Sequence, residues 1–160
     1  MIEQGTALSV MGNHEFNAVS FATPSRDGDG HLRPQNKKHT GQHQAFLDEY
    51  ADDPDAWNDV VDWFRTLPLW LDVGGLRVVH AVWCPDTIDR VASEQDARAL
   101  SDDDFLHASN EKDTWQFGAI ELLLKGQEVE MPPGVEYFDK DGNRRTAMRT
   151  RWWDDTVRTY

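Results

Sequence analysis

Residues 6–15 read Thr6-Ala7-Leu8-Ser9-Val10-Met11-Gly12-Asn13-His14-Glu15. The first six are small, apolar and β-tolerant, and they stop at a glycine. This pattern predicts a short buried strand over Thr6 to Met11 whose C-terminal end delivers Asn13 and His14 into a loop. Gly12 lets the backbone turn tightly and come close to a site. The residues that follow are chemically dense. An asparagine carboxamide oxygen is an uncommon metal ligand, useful where two cations already have enough negative charge around them. The histidine beside it can stand next to such metals without ligating them, as an imidazolium that donates a proton to a leaving alkoxide. Glu15 adds a carboxylate next to that imidazole.

Working outward, Phe16 to Ala22 reads as a helical turn or two, closed by Pro24. Thr23 to Gly41 is polar and aperiodic, a long loop of the kind that is functional or mobile. Gln42 to Tyr50 is predicted to be a short helix. Asp53-Pro54 makes a good helix start, with Pro54 near the first position and Asp55 in the first turn. Trp57, Val60, Val61 and Phe64 follow at i, i+3, i+4 and i+7, one apolar stripe of an amphipathic helix that ends at Leu67-Pro68. Leu69 to Val73 and Leu76 to Val82 are β-rich runs across Gly74-Gly75, a hairpin or a strand with a tight bend. Ala92 to Phe105 is acidic and helical in part, and Thr114 to Leu124 is a largely buried helix. Glu128 to Pro133 leads to Tyr137-Phe138, an Asp141-Gly142 turn and a strand candidate from Arg144 to Trp152.

Two of these blocks resemble a known family, and they come in that family's order. Met11-Gly12-Asn13-His14-Glu15 is similar to the third signature of the calcineurin-like metallophosphoesterases, which include the Ser/Thr protein phosphatases and the diadenosine tetraphosphatases. Leu67-Pro68-Leu69, a short strand, a glycine turn and Leu76-Arg77-Val78-Val79-His80-Ala81 resemble the family segment in which Leu-Pro precedes a strand ending in Val-His-Ala or Val-His-Gly. The resemblance covers about residues 5 to 83. It implies one incomplete α/β domain over residues 1–160, part of a four-layer α/β/β/α sandwich with a mixed sheet. It also implies a hydrolase that splits a phosphate ester with two divalent metal ions, Mn, Fe or Zn. Asn13 and His80 would be metal ligands, His14 the general acid and Glu15 its partner. The substrate would be a phosphoprotein, a nucleotide or a nucleic-acid end. The family's Asp-x-His and Gly-Asp-x-x-Asp signatures belong before Gly-Asn-His, yet none of the eleven residues before Gly12 is Asp or His. The later Gly-His-x-His ligands are also absent, and Gly28-Asp29-Gly30-His31 imitates the first signature only after the third. The chain is therefore expected to be an internal piece of a longer enzyme, or a truncated gene product, inactive in isolation.

Composition bounds the alternatives. At 160 residues, 39% of them hydrophobic, the chain suits one globular domain. Its 29 Asp and Glu against 16 Lys and Arg give a formal charge of -13. That field repels nucleic-acid backbones and anionic membranes, so a broad nucleic-acid surface is not expected. It suits a protein that holds divalent cations, although solubility is its plainest meaning. A single cysteine, Cys84, excludes an intrachain disulfide. With no basic leader and no apolar run long enough for a bilayer, a cytoplasmic location and no membrane partner are expected. The competing, non-enzymatic reading is an inert remnant or a binding module, with a small metal site at His31, His39 and His43, the last two spaced i, i+4. Arg33 is a candidate for a substrate phosphate, against the plainer role of a solvated loop arginine. His80, taken alone, closes an apolar strand as an ordinary core histidine does. Trp57, Trp63, Trp70, Trp83, Trp152 and Trp153 read as core and lid packing rather than a base-stacking platform. Arg144, Arg145, Arg149 and Arg151 read as the polar face of a strand.

Overall fold

Helix α1 (Asn13–Ala22) starts directly after Gly12, its extended N-cap, in the computed structural model, which describes residues 2, 4–140 and 142–154. Asn13, His14 and Glu15 are therefore the first turn of a helix, not loop residues delivered by a strand. The strand expected over Thr6 to Met11 does not form among the described residues: residues 7–12 have no regular secondary structure, and the Met11 N–H donates to the Pro68 carbonyl at 2.8 Å. Burial explains this. Met11 is fully buried while Leu8 is 67% exposed, so the segment plugs into the core at one end and otherwise lies along the surface.

Helix α2 (Lys37–Glu49) begins earlier than its apolar content suggests. The Asn36 side chain accepts from the His39 N–H, a cap that starts the helix at Lys37 rather than Gln42 and leaves Gly41 inside it. Helix α3 (Pro54–Arg65) forms as expected, with the Asp53 carboxylate accepting from the Ala56 N–H and Pro54 at the start. It packs against α1, burying Val61, with Trp57 and Phe64 half-buried against the core. Strands β1 (Trp70–Val73) and β2 (Leu76–Val79) form an antiparallel hairpin with Val73 opposite Leu76. Gly74 and Gly75 both adopt positive φ, 57° and 93°, as a two-residue turn of this hand requires.

Helices α4 (Pro85–Glu94), α5 (Asp103–Ala108) and α6 (Trp115–Ile120) follow. Helix α6 runs on into one wider, π-type turn over Glu121–Lys125, and together they make the buried segment foreseen over Thr114 to Leu124. Strand β3 (Glu128–Glu130) pairs with β6 (Ala147–Arg149), and β4 (Tyr137–Phe138) with β5 (Arg144–Arg145). The arginine-rich strand is thus split at Thr146. Asp141 of the anticipated turn lies outside the described residues.

The molecule mixes helices and strands, but the core is made by helices. Phe16 and Val19 of α1, Val61 of α3, Val91 of α4, Leu106 of α5 and Ile120 of α6 meet in one cluster, and Trp70 and Val79 of the hairpin only pack against its edge. Every strand pair among the described residues is antiparallel and two-stranded. The mixed sheet expected at the centre is therefore not built by these strands. A parallel pair needs a crossover of a dozen residues or more, and each strand here pairs only with one antiparallel partner. No described helix is long and apolar enough to cross a membrane.

Candidate functional site

Two backbone ties bring the distant motifs together. The Met11–Pro68 bond fixes the chain just before Gly12 to the entry of β1, and the Ala81 N–H donates to the Leu123 carbonyl at 3.0 Å, just after His80. Between them, His80 Nε2 lies 3.0 Å from Asn13 Oδ1, across 67 residues of sequence. An amide oxygen only accepts, so Nε2 carries the proton of this bond. Gly12 is pressed into the same corner. A β-carbon there would lie 2.4 Å from Glu15 Oε2 and 3.2 Å from both Nδ1 and Cε1 of His80. The Glu15 carboxylate thus folds back over Gly12, and it also borders the hollow that His14 lines.

The donor chemistry of this corner fits a transition-metal ligand pair. Two donors bound at right angles, each about 2.1 Å from a cation, stand about 3 Å apart, so the Asn13–His80 spacing serves a hydrogen bond and a pair of adjacent ligands equally. One amide oxygen and one imidazole nitrogen suit Mn, Fe or Zn better than calcium. They are only part of a donor set. A dinuclear centre takes about four to seven protein ligands, and the described residues contain no group of three or more His, Cys, Asp or Glu able to hold a metal.

Asn13 and His80 open onto a groove of about 250 Å³ that also presents Lys125, Arg149, Trp152 and Trp153. The Trp152 indole N–H donates to the Ala81 carbonyl at 2.8 Å, next to His80. Its ring meets that of Trp153 edge-on at 5.8 Å, and the two remain 39% and 67% exposed. These two indoles are not core packing, in contrast to Trp57, Trp70 and Trp83, which do lie against the core. No periodicity in the last third of the sequence could have set them apart.

His14 points elsewhere. It is exposed and lines a second hollow with Gln42, His43 and Phe46 of α2. Arg33 closes the same region by donating to Asn17 Oδ1 at 3.0 Å and Gln42 Oε1 at 2.8 Å, so it fastens the loop to α1 and α2 instead of reaching into solvent. Burial lowers the Arg33 pKa, and the charge of Glu121 opposes that shift.

The triad of His31, His39 and His43 is not assembled among the described residues. His43 is buried among Phe21, Phe46 and Trp57, with ring centres 5.4, 5.7 and 6.3 Å away, and its Nε2 has no hydrogen-bond partner. Burial, then the charges of Arg33 and His14, push its pKa below the ordinary histidine value. His39 instead donates from Nδ1 to the Pro34 carbonyl at 2.8 Å, and His31 sits in a bridge to Pro24. The i, i+4 spacing was there, but the aromatic cluster takes one ring and the loop takes the other. No family model, curated protein or solved structure matches the chain.

Proposed function

We propose that the chain carries part of a metal-dependent phosphoesterase centre, with Asn13 Oδ1 and His80 Nε2 as ligands to a divalent cation and His14 as the proton donor to the leaving group. The observation that carries this reading is the meeting of Asn13 and His80 at 3.0 Å from 67 residues apart. Gly12 adds to it, because any side chain there would intrude on both Glu15 and His80. When bound, a pair of divalent cations supplies an activated hydroxide and offsets charge building on the phosphoryl oxygens.

The chain's own groups do the rest. Asn13 offers a neutral oxygen, so it adds no charge to the site. To ligate, His80 Nε2 gives up its proton, and the neutral ring keeps one on Nδ1. His14 must turn from the hollow beside α2 toward the ester oxygen to protonate it. The remaining ligands, and the layered sandwich that the resemblance implies, would come from strands docked along residues 7–12. Hydrolysis of p-nitrophenyl phosphate by the 160-residue chain is accordingly expected to be slight.

Calorimetric titration of chelator-stripped protein with orthophosphate, with and without Mn²⁺, tests this. Mn²⁺ should raise phosphate affinity about tenfold or more, equivalent to one ordinary charged contact. The gain should vanish in His80→Ala and in Asn13→Ala. Phosphate binding that ignores Mn²⁺ would overturn the reading.

A further inference from the structure

We propose that the groove beside Asn13 and His80 takes a mononucleotide, its base against Trp152 and Trp153 and its phosphate toward Arg149 and the Asn13–His80 pair. The inference rests on the phosphoesterase reading for where the phosphate goes and narrows the ester to a nucleotide. Three features of the groove converge on such a ligand. Two neighbouring indoles, Trp152 and Trp153, are left open to solvent, as Trp63 is elsewhere, while Trp57, Trp70, Trp83 and Trp115 pack against the core. An open indole face is what a nucleobase stacks on, whatever its identity. Trp152 is held in place by its bond to the Ala81 carbonyl, so part of this surface is preorganised one residue from His80.

The second feature is charge. In a chain of formal charge -13, this groove presents Arg149 and Lys125. Lys125 is taken by Glu121 within its own helical turn. Arg149 is largely exposed, and its carboxylate neighbour, Glu128, stands 3.7 Å away, a loose pair that an incoming phosphate can displace. Guanidinium suits phosphate because its fork matches two oxygens at once. The third feature is shape: the groove, about 250 Å³, is open to solvent on one side, so a ligand can seat its phosphate by Asn13 and His80 while its base lies along the exposed indoles. A phosphopeptide would ask for a cluster of arginines, and among the described residues this groove presents one arginine.

Calorimetry with AMP and with ribose 5-phosphate, in Mn²⁺ and again in EDTA, separates base from phosphate. Wild type should bind AMP roughly five- to a hundredfold more tightly than ribose 5-phosphate, the usual effect of stacking one base. Trp153→Ala should erase that preference and leave ribose 5-phosphate binding and the melting temperature unchanged, since Trp153 is mostly exposed. Arg149→Gln should weaken both ligands alike. Equal affinity for the two ligands in wild type, no AMP binding at all, or a preference that survives both Trp152→Ala and Trp153→Ala would overturn the proposal. A base preference that persists in EDTA, with orthophosphate binding indifferent to Mn²⁺, would uphold the stacking groove and count only against the metal reading.

Discussion

Gly12 has room for a hydrogen and nothing larger, and the reason lies in its neighbours rather than its backbone. Its φ of -109° is open to any residue. An alanine methyl would instead meet Glu15 Oε2 at 2.4 Å and the His80 ring at 3.2 Å. The carboxylate is the end of a flexible chain and can swing away, but the ring must shift by a few tenths of an ångström, and Nε2 moves with it. Gly12→Ala should therefore cost less than about 1 kcal/mol of stability while weakening Mn²⁺-dependent phosphate binding about tenfold or more. Thermal melts and phosphate titrations on the same samples check this, and a large drop in melting temperature with the metal response intact would assign Gly12 to packing alone. That Asn13 and His80 stand together was expected only from the family resemblance, and no spacing between positions 13 and 80 would have said so. The direction of Glu15 was not legible in the sequence. Glu15 folds back over Gly12, as an acid in the first turn of a helix commonly does, and it also borders the hollow that His14 lines. Reading Asn13 and His14 as loop residues concealed that geometry.

At the scale of elements, the parts that could be read were those whose signals are local. Asp53-Pro54 and the stripe through Val61 specify α3, and Gly74-Gly75 supplies the two positive φ angles of the hairpin. The segment before Gly12 failed for the opposite reason. A strand exists only with a partner, and nothing in Thr6 to Met11 says whether one is at hand. The start of α2 was hidden because Asn36, its cap, sits in a polar stretch that looks like uninterrupted loop. Capping also gives a quantitative check. Asp53→Ala removes the acceptor for the Ala56 N–H at 3.0 Å and should lower stability by about 1 kcal/mol. The denaturant midpoint should fall with an unchanged slope. Because α3 packs on α1, a loss well above 2 kcal/mol would mean that the cap holds both helices rather than one.

Across the whole molecule, the helical core and the hollow between α1 and α2 set how stability responds to pH. His43 is neutral in the fold, and its pKa is pushed below the ordinary 6.5 by burial and by Arg33 and His14. The unfolded chain therefore takes up the proton first, so this stabilisation is complete above pH 6.5 and is lost as pH falls through 6.5 toward the lowered value. Relative to wild type, His43→Phe should show a flatter loss of melting temperature on acidification, and parallel profiles would contradict the burial of a neutral ring. The wider architecture was the least legible feature. The family resemblance implied a central mixed sheet, whereas the apolar faces of α1, α3, α4, α5 and α6 close on each other and leave the strands outside. The proposed cation half-site of Asn13 and His80 is nonetheless local, and sub-stoichiometric Mn²⁺ added during NMR observation of the histidine rings and side-chain amides probes it. The His80 ring and the Asn13 amide should broaden before any other such signal, and broadening should disappear from Asn13 in His80→Ala. First broadening at His31, His39 or His107, with His80 untouched, would contradict it.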